Sequence, residues 1–179
     1  ADKNTSDLYN CVNDDPFSWE PGDYISAEMS GDYIVKLAMN RNYIVAFGLT
    51  SLEIFWNAAV ESGSPMKRNE SGFKRTGYVG GLSSIGDKLY FVGQDQNKIV
   101  SVYVLDGFKL ERISNEAVDR TLELISTTAG QEISVTTLDG VTVTVDGHSF
   151  YLVKTSQTTW AYDLDEKMWY EWKNSLNFG

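Results

Sequence analysis

The sequence has little of what most catalytic and metal-binding proteins use. It contains one cysteine, Cys11, and one histidine, His148, among 179 residues. A single cysteine excludes an intramolecular disulfide and a multi-cysteine metal site, and a single histidine excludes a triad of histidine ligands. A free cysteine is ordinarily buried or incidental. Because a lone histidine is usually structural, we expect His148 to be hydrogen-bonded to the backbone at a turn or strand edge.

Basic residues and long apolar runs are also scarce. The chain has 15 lysines and arginines against 25 acidic residues, a net charge of −10. Its short basic clusters are predicted to lie on the solvated surface; they are Lys67-Arg68, Lys74-Arg75 and Arg112. The negative net charge argues against a dedicated nucleic-acid-binding site. Because no run of about 18 apolar residues and no signal-like apolar start is present, we expect no membrane contact.

What the sequence does contain is a succession of short β-type runs that end in turns. The run at 43–47 ends at Gly48, and a similar run ends at Gly93, 45 residues later. Each is followed by a second run rich in β-branched and aromatic residues, and a third copy is displaced by 61 residues. The paired runs are 43–47 with 52–56, 89–92 with 99–104, and 150–153 with 160–162.

The extra length before the third copy carries a helical pattern. Val118, Leu122 and Ile125 are spaced i, i+4 and i+7, and Ser114 is a candidate N-cap. The sequence therefore predicts one short α-helix near 115–125. Helical periodicity is absent almost everywhere else, which argues against βαβ units and a Rossmann-like sheet.

Turn residues favour antiparallel hairpins. Asp106-Gly107 separates 101–105 from 108–113, Asp139-Gly140 separates 133–138 from 141–145, and Asp146-Gly147 opens the next strand. A period near 45 residues is the size of a propeller blade. We predict an all-β fold of antiparallel β-propeller-like blades, about three to four blade units, with a helix insertion at 115–125.

The two ends of the chain suggest how the blades are divided. The aromatic run at 16–20 is similar to the one at 168–173, where the outer strand of a blade would finish. We therefore expect 1–32 to complete a preceding blade and 33–179 to form further blades. Since about four blades are the minimum for a closed ring, the chain is expected to be part of a larger propeller. A sandwich is the alternative.

Residues that could carry chemistry lack the patterns that chemistry requires. The acidic runs Asp14-Asp15 and 163–166 could serve a calcium ion or a glycosidase, but Asp is also a common turn former. Gly77, Gly80 and Gly81 predict a loop that feeds an inner strand, because no helix follows them. No Gly-x-Ser-x-Gly element precedes His148. We expect no enzyme activity, no catalytic, cofactor-binding or metal-binding residues, and no cofactor.

Aromatic residues are abundant and leave two functions open. The rings can pack between blades, which we favour, or form sugar-stacking platforms, so a carbohydrate-binding or carbohydrate-cleaving propeller is the alternative function. The five tryptophans are Trp19, Trp56, Trp160, Trp169 and Trp172.

The segment 60–75 is predicted to be a long loop and a candidate assembly contact.

An ordered set of segments provides a family resemblance. They are NYIVAFG at 42–48, SLEIFWNA at 51–58, GDKLYFVG at 86–93, VY at 102–103, RISNEAV at 112–118, GHSFY at 147–151, TWAYD at 159–163 and WYE at 169–171. Together these segments resemble the packaged-DNA stabilisation (tail nozzle) proteins of short-tailed podovirus bacteriophages. The resemblance spans about 20–173.

The resemblance implies a structural role in the virion tail, in particles assembled in the bacterial host cytoplasm. It implies a β-propeller-like component that assembles below the portal and adaptor, closes the DNA channel and stabilises packaged DNA. Expected partners are other phage tail and head–tail adaptor proteins, further copies of the chain in a homo-oligomeric ring, and double-stranded DNA in passive contact with the lumen. A host protein-interaction propeller unrelated to phages is a third possibility.

Overall fold

The computed structural model describes residues 5–12, 15–59, 64–128, 138–156 and 158–173. These residues form fourteen strands, one α-helix and a 3-10 turn at Glu70–Gly72. The strands are β1 (Asp7–Tyr9), β2 (Tyr24–Ser26), β3 (Ile34–Asn40), β4 (Tyr43–Gly48), β5 (Leu52–Asn57), β6 (Met66–Arg68), β7 (Thr76–Ile85), β8 (Lys88–Asp95), β9 (Val100–Asp106), β10 (Lys109–Arg112), β11 (Asp139–Val145), β12 (His148–Lys154), β13 (Thr159–Asp163) and β14 (Met168–Trp172). The helix α1 is Glu116–Thr128.

The strands form three four-stranded sheets and one two-stranded sheet. The sheets are β1-β2, β3-β4-β5-β6, β7-β8-β9-β10 and β11-β12-β13-β14, so hydrogen-bonded neighbours follow one another in sequence. This confirms the predicted all-β fold of blade-sized meanders with one helix. The chain divides into two compact units, Ala1–Tyr78 and Val79–Gly179. The predicted division into 1–32 and 33–179 stays a prediction.

Two of the three Asp-Gly pairs lie at hairpin turns. Gly107 has φ of 60° between β9 and β10, as predicted, and Asp146 and Gly147 have φ of 51° and 85° in the two-residue turn between β11 and β12. The predicted turn at Asp139-Gly140 is wrong, because both residues lie inside β11 and pair with Lys154 and Val153. The predicted strand 133–138 lies outside the described residues except for Leu138.

The glycines at 77, 80 and 81 lie within β7, so the predicted loop is wrong. Their role is to let other backbone segments approach the strand. A Cβ atom added at Gly77 would lie 1.9 Å from the carbonyl oxygen of Leu49, and one at Gly80 would lie 2.9 Å from Cβ of Leu138. Close backbone approach in a strand is a common reason for glycine there.

The predicted loop at 60–75 is also wrong in part. Residues 60–63 lie outside the described part of the chain, but β6 pairs with β5 as the fourth strand of its sheet. The 3-10 turn follows, capped by the side chain of Asn69. The aromatic run at 168–173 contains the edge strand β14 as expected, whereas 16–20 forms no strand.

Helix α1 begins one residue later than the cap assignment assumed. The side chain of Asn115 accepts a hydrogen bond from the Val118 backbone N–H at 3.0 Å, so Asn115 caps the helix. Ser114 instead accepts from the N–H of Val102 in β9, at 3.0 Å. Val118 and Leu122 are fully buried, as the spacing predicted. The side chain of Ile125 lies outside the described part.

Each compact unit has its own apolar cluster. In the first unit, Leu8 and Ala27 from the β1–β2 region pack with Ile34, Ala46 and Phe55 of the four-stranded sheet. In the second unit, residues of both four-stranded sheets and of α1 form one cluster. Its fully buried members include Val92, Val102, Val118, Leu122, Tyr151 and Val153.

Candidate functional site

The last sheet, β11 to β14, has two faces with different surroundings. Alternate residues of a strand point to opposite faces, so Tyr151 and Val153 point one way while Phe150 and Leu152 point the other. Tyr151 and Val153 are fully buried against the β7–β10 sheet. We call this the covered face and the opposite one the open face.

The covered face is joined to β7 by direct main-chain contact. The backbone N–H of Gly81 donates to the carbonyl of Leu138 at 3.0 Å, and the Tyr151 hydroxyl donates to the carbonyl of Gly81 at 2.5 Å. A Cβ atom added at Gly140 would lie 1.8 Å from that same carbonyl oxygen. The two sheets therefore meet at a distance that only glycine permits at this point.

The open face is apolar and solvent-exposed. Val141, Met168 and Trp172 are exposed to 51%, 54% and 40%, although all three lie in strands. The rings of Phe150 and Trp172 lie on this face with centroids 5.6 Å apart and planes tilted by 55°. Its apolar members are Val141, Val143, Val145, Phe150, Leu152, the buried Ala161, Met168, Tyr170 and Trp172.

Equivalent positions of the preceding sheet are buried. The β7–β8 and β11–β12 turns both join paired strands through two residues, and aligning them places Tyr90 over Phe150 and Val92 over Leu152. Tyr90 is 4% exposed and Val92 is fully buried, and the ring of Tyr90 lies 5.3 Å from that of Tyr151. Phe150 and Leu152 are only half-buried. Positions that are buried in the β7–β10 sheet are therefore partly exposed to solvent in the β11–β14 sheet.

A polar cluster lies at one end of the open face. The pairing of Phe150 with Asp163 brings the start of β12 beside the end of β13. There Nδ1 of His148 lies 2.9 Å from Oδ2 of Asp163. The other oxygen, Oδ1, accepts from the backbone N–H groups of Asp165 and Glu166 at 2.8 and 3.1 Å. The expected backbone partner of His148 is therefore wrong, and the partner is a carboxylate.

These contacts set the protonation of the pair. The hydrogen bond to Asp163, and then its charge, raise the pKa of His148 above its usual 6.5. Burial acts to raise the pKa of Asp163, but the two backbone N–H donors and His148 outweigh it and lower that pKa. Nearby, the Tyr170 hydroxyl donates to Glu166 at 2.6 Å, which raises the pKa of Tyr170.

The geometry of the cluster is that of a capped turn. The possible ligand atoms of His148, Asp163 and Asp165 lie within 4.8 Å of one another. Asp163 already accepts three hydrogen bonds, which hold the β13–β14 turn closed and fix the histidine. The acidic run 163–166 thus forms a turn between two strands, as its Asp content indicated. Asp14 of the other acidic pair lies outside the described residues.

Other residues singled out in the sequence have structural partners. Arg68 is not simple surface: it donates to the buried Glu53 at 2.6 Å and to the Ser26 carbonyl at 2.7 Å. This ion pair was not predicted from the sequence. The feature that could have indicated it is the position of Glu53 inside the apolar run LEIFW, where a buried carboxylate needs a partner. Arg112 pairs with Asp119 on α1. Cys11 is half-buried.

The tryptophans divide between packing and exposure. Trp169 is half-buried and donates through Nε1 to the carbonyl of Ile113 at 2.7 Å, and Trp160 packs against the second unit's cluster. Trp19, Trp56 and Trp172 are exposed to 59%, 41% and 40%. The predicted packing role therefore describes Trp160 and Trp169 better than the other three.

The fold and the comparisons identify the class of protein. Four-stranded antiparallel meanders, stacked through glycine-mediated contacts in the second unit, are the architecture of a β-propeller protein. The family model described as "Bacteriophage P22 Gp10, beta-propeller", a phage stabilisation family, matches residues 2–178. The chain belongs to this family of phage structural proteins and is accordingly a virion component. A search of curated proteins found no match. Among the described residues, no helix is long and apolar enough to cross a membrane.

Proposed function

We propose that the chain is a non-enzymatic component of the phage tail, a nozzle that assembles below the portal and adaptor, closes the DNA channel and stabilises packaged DNA. The observation that carries the proposal is the match of the P22 Gp10 stabilisation family over residues 2–178. Its partners are other tail and head–tail adaptor proteins and further copies of the chain in a ring. Particles containing it assemble in the host cytoplasm.

The charge of the chain is compatible with a channel that DNA must leave. A wall that neutralised phosphates with lysine and arginine would hold DNA tightly, and its release would depend steeply on salt. With a net charge of −10, the chain repels DNA wherever acidic residues face the lumen. Screening limits this repulsion to about 8 Å at physiological salt. Contact with DNA is therefore passive.

The open face is where the propeller continues. Because Phe150 and Leu152 occupy the positions of Tyr90 and Val92, the occupant that fits this face is a further four-stranded sheet of the same kind. Such a sheet would bury the exposed parts of Val141, Met168 and Trp172, at about 25 cal/mol per Å² of apolar surface. This contact extends the stacking already present between β7–β10 and β11–β14.

The proposal is tested on phage particles that lack the protein. The gene is deleted from the parent phage and supplied from a plasmid in a control infection, and the DNase-protected genome is measured after packaging and incubation. We expect deleted particles to package DNA and then lose it, and complemented particles to retain it. Full retention by deleted particles would refute the proposal. Electron microscopy of complemented particles should add a ring at the distal end of the channel.

A carbohydrate-binding role is the second candidate, and one observation favours it. Phe150, Trp172 and Tyr170 lie with Asp163 and Glu166 around one depression on the open face. However, because the planes of Phe150 and Trp172 are tilted by 55°, the two rings do not form one flat stacking platform, and Glu166 is engaged by Tyr170. A glycan array with the wild-type chain and Trp172→Ala tests it. Binding that Trp172→Ala abolishes would support this role.

A further inference from the structure

We propose that the loop 15–20, which we call the Phe17 loop, is a docking element that inserts Phe17 into an apolar pocket, rimmed by lysine or arginine, on another protein of the virion. This rests on the proposed function, because it assumes a partner within the particle. Four observations support it: the exposure of the ring, the hydrogen bonds that hold the loop, the second exposed aromatic beside it and the charge around it.

The ring of Phe17 is fully presented to solvent. Its residue is 93% exposed, far more than any other large apolar residue in the described chain. The exposed members of strands owe their exposure to an open sheet face, whereas Phe17 lies in a turn. A large aromatic side chain that gains no burial in its own protein gains free energy when a partner buries it, and together with the exposed Trp19 it can act as an interface anchor.

The loop that carries the ring is held in one conformation by hydrogen bonds. The carboxylate of Asp15 accepts from the Phe17 N–H at 3.1 Å, and the backbone N–H of Ser18 donates to the Asp15 carbonyl at 3.2 Å. The N–H of Val12 donates to the Ser18 carbonyl at 2.8 Å and closes the turn. Because the loop is ordered before binding, little conformational entropy is lost when the ring is buried.

Trp19 extends the apolar surface of the loop. It is 59% exposed, and its Nε1 donates to the Pro16 carbonyl at 3.0 Å, which places the indole beside the turn. Farther along the same hairpin, the rings of Tyr9 and Tyr24 lie 5.3 Å apart and are exposed to 37% and 44%. Tryptophan and tyrosine are the residues most enriched at protein interfaces.

The charge of the surrounding segment selects the partner. Between residues 4 and 35 the sequence has seven acidic residues and no basic one. Asp15 lies two residues before Phe17 and Glu20 three residues after it, and both are exposed. This charge repels nucleic acid and anionic lipid, so an exposed aromatic here does not serve either one. It complements a protein pocket whose rim carries lysine or arginine.

The experiment uses particles of the parent phage assembled without the chain as the binding probe. The purified full chain is added back, and the Kd for the particles is measured at low and high salt. Phe17→Ser is expected to bind about 30-fold more weakly, the scale of a buried aromatic anchor. Phe17→Leu should recover part of this loss. Glu20→Lys should weaken binding mainly at low salt and reduce the salt dependence.

Ile99→Ser is the matched control, because Ile99 is a large apolar residue that is 50% exposed in the second unit. It should bind like the wild type, and all variants should keep the wild-type melting temperature. If the wild type does not bind the particles, the proposed function fails and this inference with it. If Phe17→Ser binds as tightly as the wild type, or if anionic vesicles or DNA bind the wild type and lose binding with Phe17→Ser, the inference alone fails.

Discussion

Replacing Gly140 by alanine should separate the two sheets of the second unit. The added Cβ would lie 1.8 Å from the Gly81 carbonyl oxygen and 2.2 Å from its carbon, so one backbone must move by more than 1 Å. Overpacking costs about 1–3 kcal/mol. The movement also weakens the hydrogen bonds from Tyr151 and to Leu138, at about 1 kcal/mol each. Alanine recovers about 0.5–1 kcal/mol by restricting the unfolded chain.

The expected net loss is therefore about 3 kcal/mol of unfolding free energy. Urea unfolding followed by tryptophan fluorescence should show a midpoint lowered by about 1.5 M, taking a slope near 2 kcal/mol per M. Gly22→Ala is the matched control, because nothing lies within 4 Å of a Cβ there, and it should change stability by less than about 0.5 kcal/mol. The contact argument is refuted if Gly140→Ala unfolds at the same midpoint as Gly22→Ala.

Three further predictions concern polar contacts. Arg68→Ala should cost about 3 kcal/mol because it leaves the buried Glu53 carboxylate without its cationic partner, although the Met29 N–H still donates to it. The double change with Glu53→Leu should unfold at higher urea than the single one. Asn115→Ala should lower the free energy of unfolding by about 1 kcal/mol, because it removes the N-cap of α1. The urea midpoint should fall accordingly, while the apolar face of α1 stays buried. Because the folded protein raises the pKa of His148, protonation of this residue stabilises the fold fully at pH values below its usual pKa of 6.5, and this stabilisation is lost as pH rises through the folded pKa. Because the folded protein lowers the pKa of Asp163, its ionisation stabilises the fold at pH values above its usual pKa of 3.8, and this stabilisation is lost on acidification through the folded pKa. His148→Gln should therefore flatten the fall in melting temperature as pH rises above 6.5, and an unchanged slope would contradict the pairing.

The repeated strand pairs were predictable because their signal is local. A β-strand is selected by branched and aromatic residues between turn formers, and both kinds of residue are visible in runs such as YIVAF before Gly48. The same holds for the buried face of α1, where a 3.6-residue period places Val118 and Leu122 together. The family resemblance drew on these local segments in their order.

The errors arose where a distant backbone decided the structure. Gly140 follows an aspartate and has the composition of a turn, but its lack of a side chain serves the approach of Gly81 instead. Ser114 is a good N-cap by type, yet the N–H of Val102 takes its hydroxyl and Asn115 caps the helix. Neither partner is close in sequence, so no local pattern could reveal it.

The pairing of histidine with Asp163 was missed for a similar reason. His148 and Asp163 are separated by a whole hairpin, and the register of β12 on β13 brings them together. The Phe17 loop left a weaker trace, an aromatic run inside an acidic segment without a basic residue. That trace was interpreted as a strand, because the exposure of a side chain is not part of the sequence pattern.

The order of strands within the sheets has a consequence for the way the chain folds. Since every hydrogen-bonded neighbour in the four described sheets is also the next strand in sequence, no sheet waits for a distant segment to arrive. Folding then closes short loops first, which carry the smallest loss of chain entropy, and contact order within a sheet is low. Each meander can form as its own strands leave the ribosome, before any stacking partner has been synthesised.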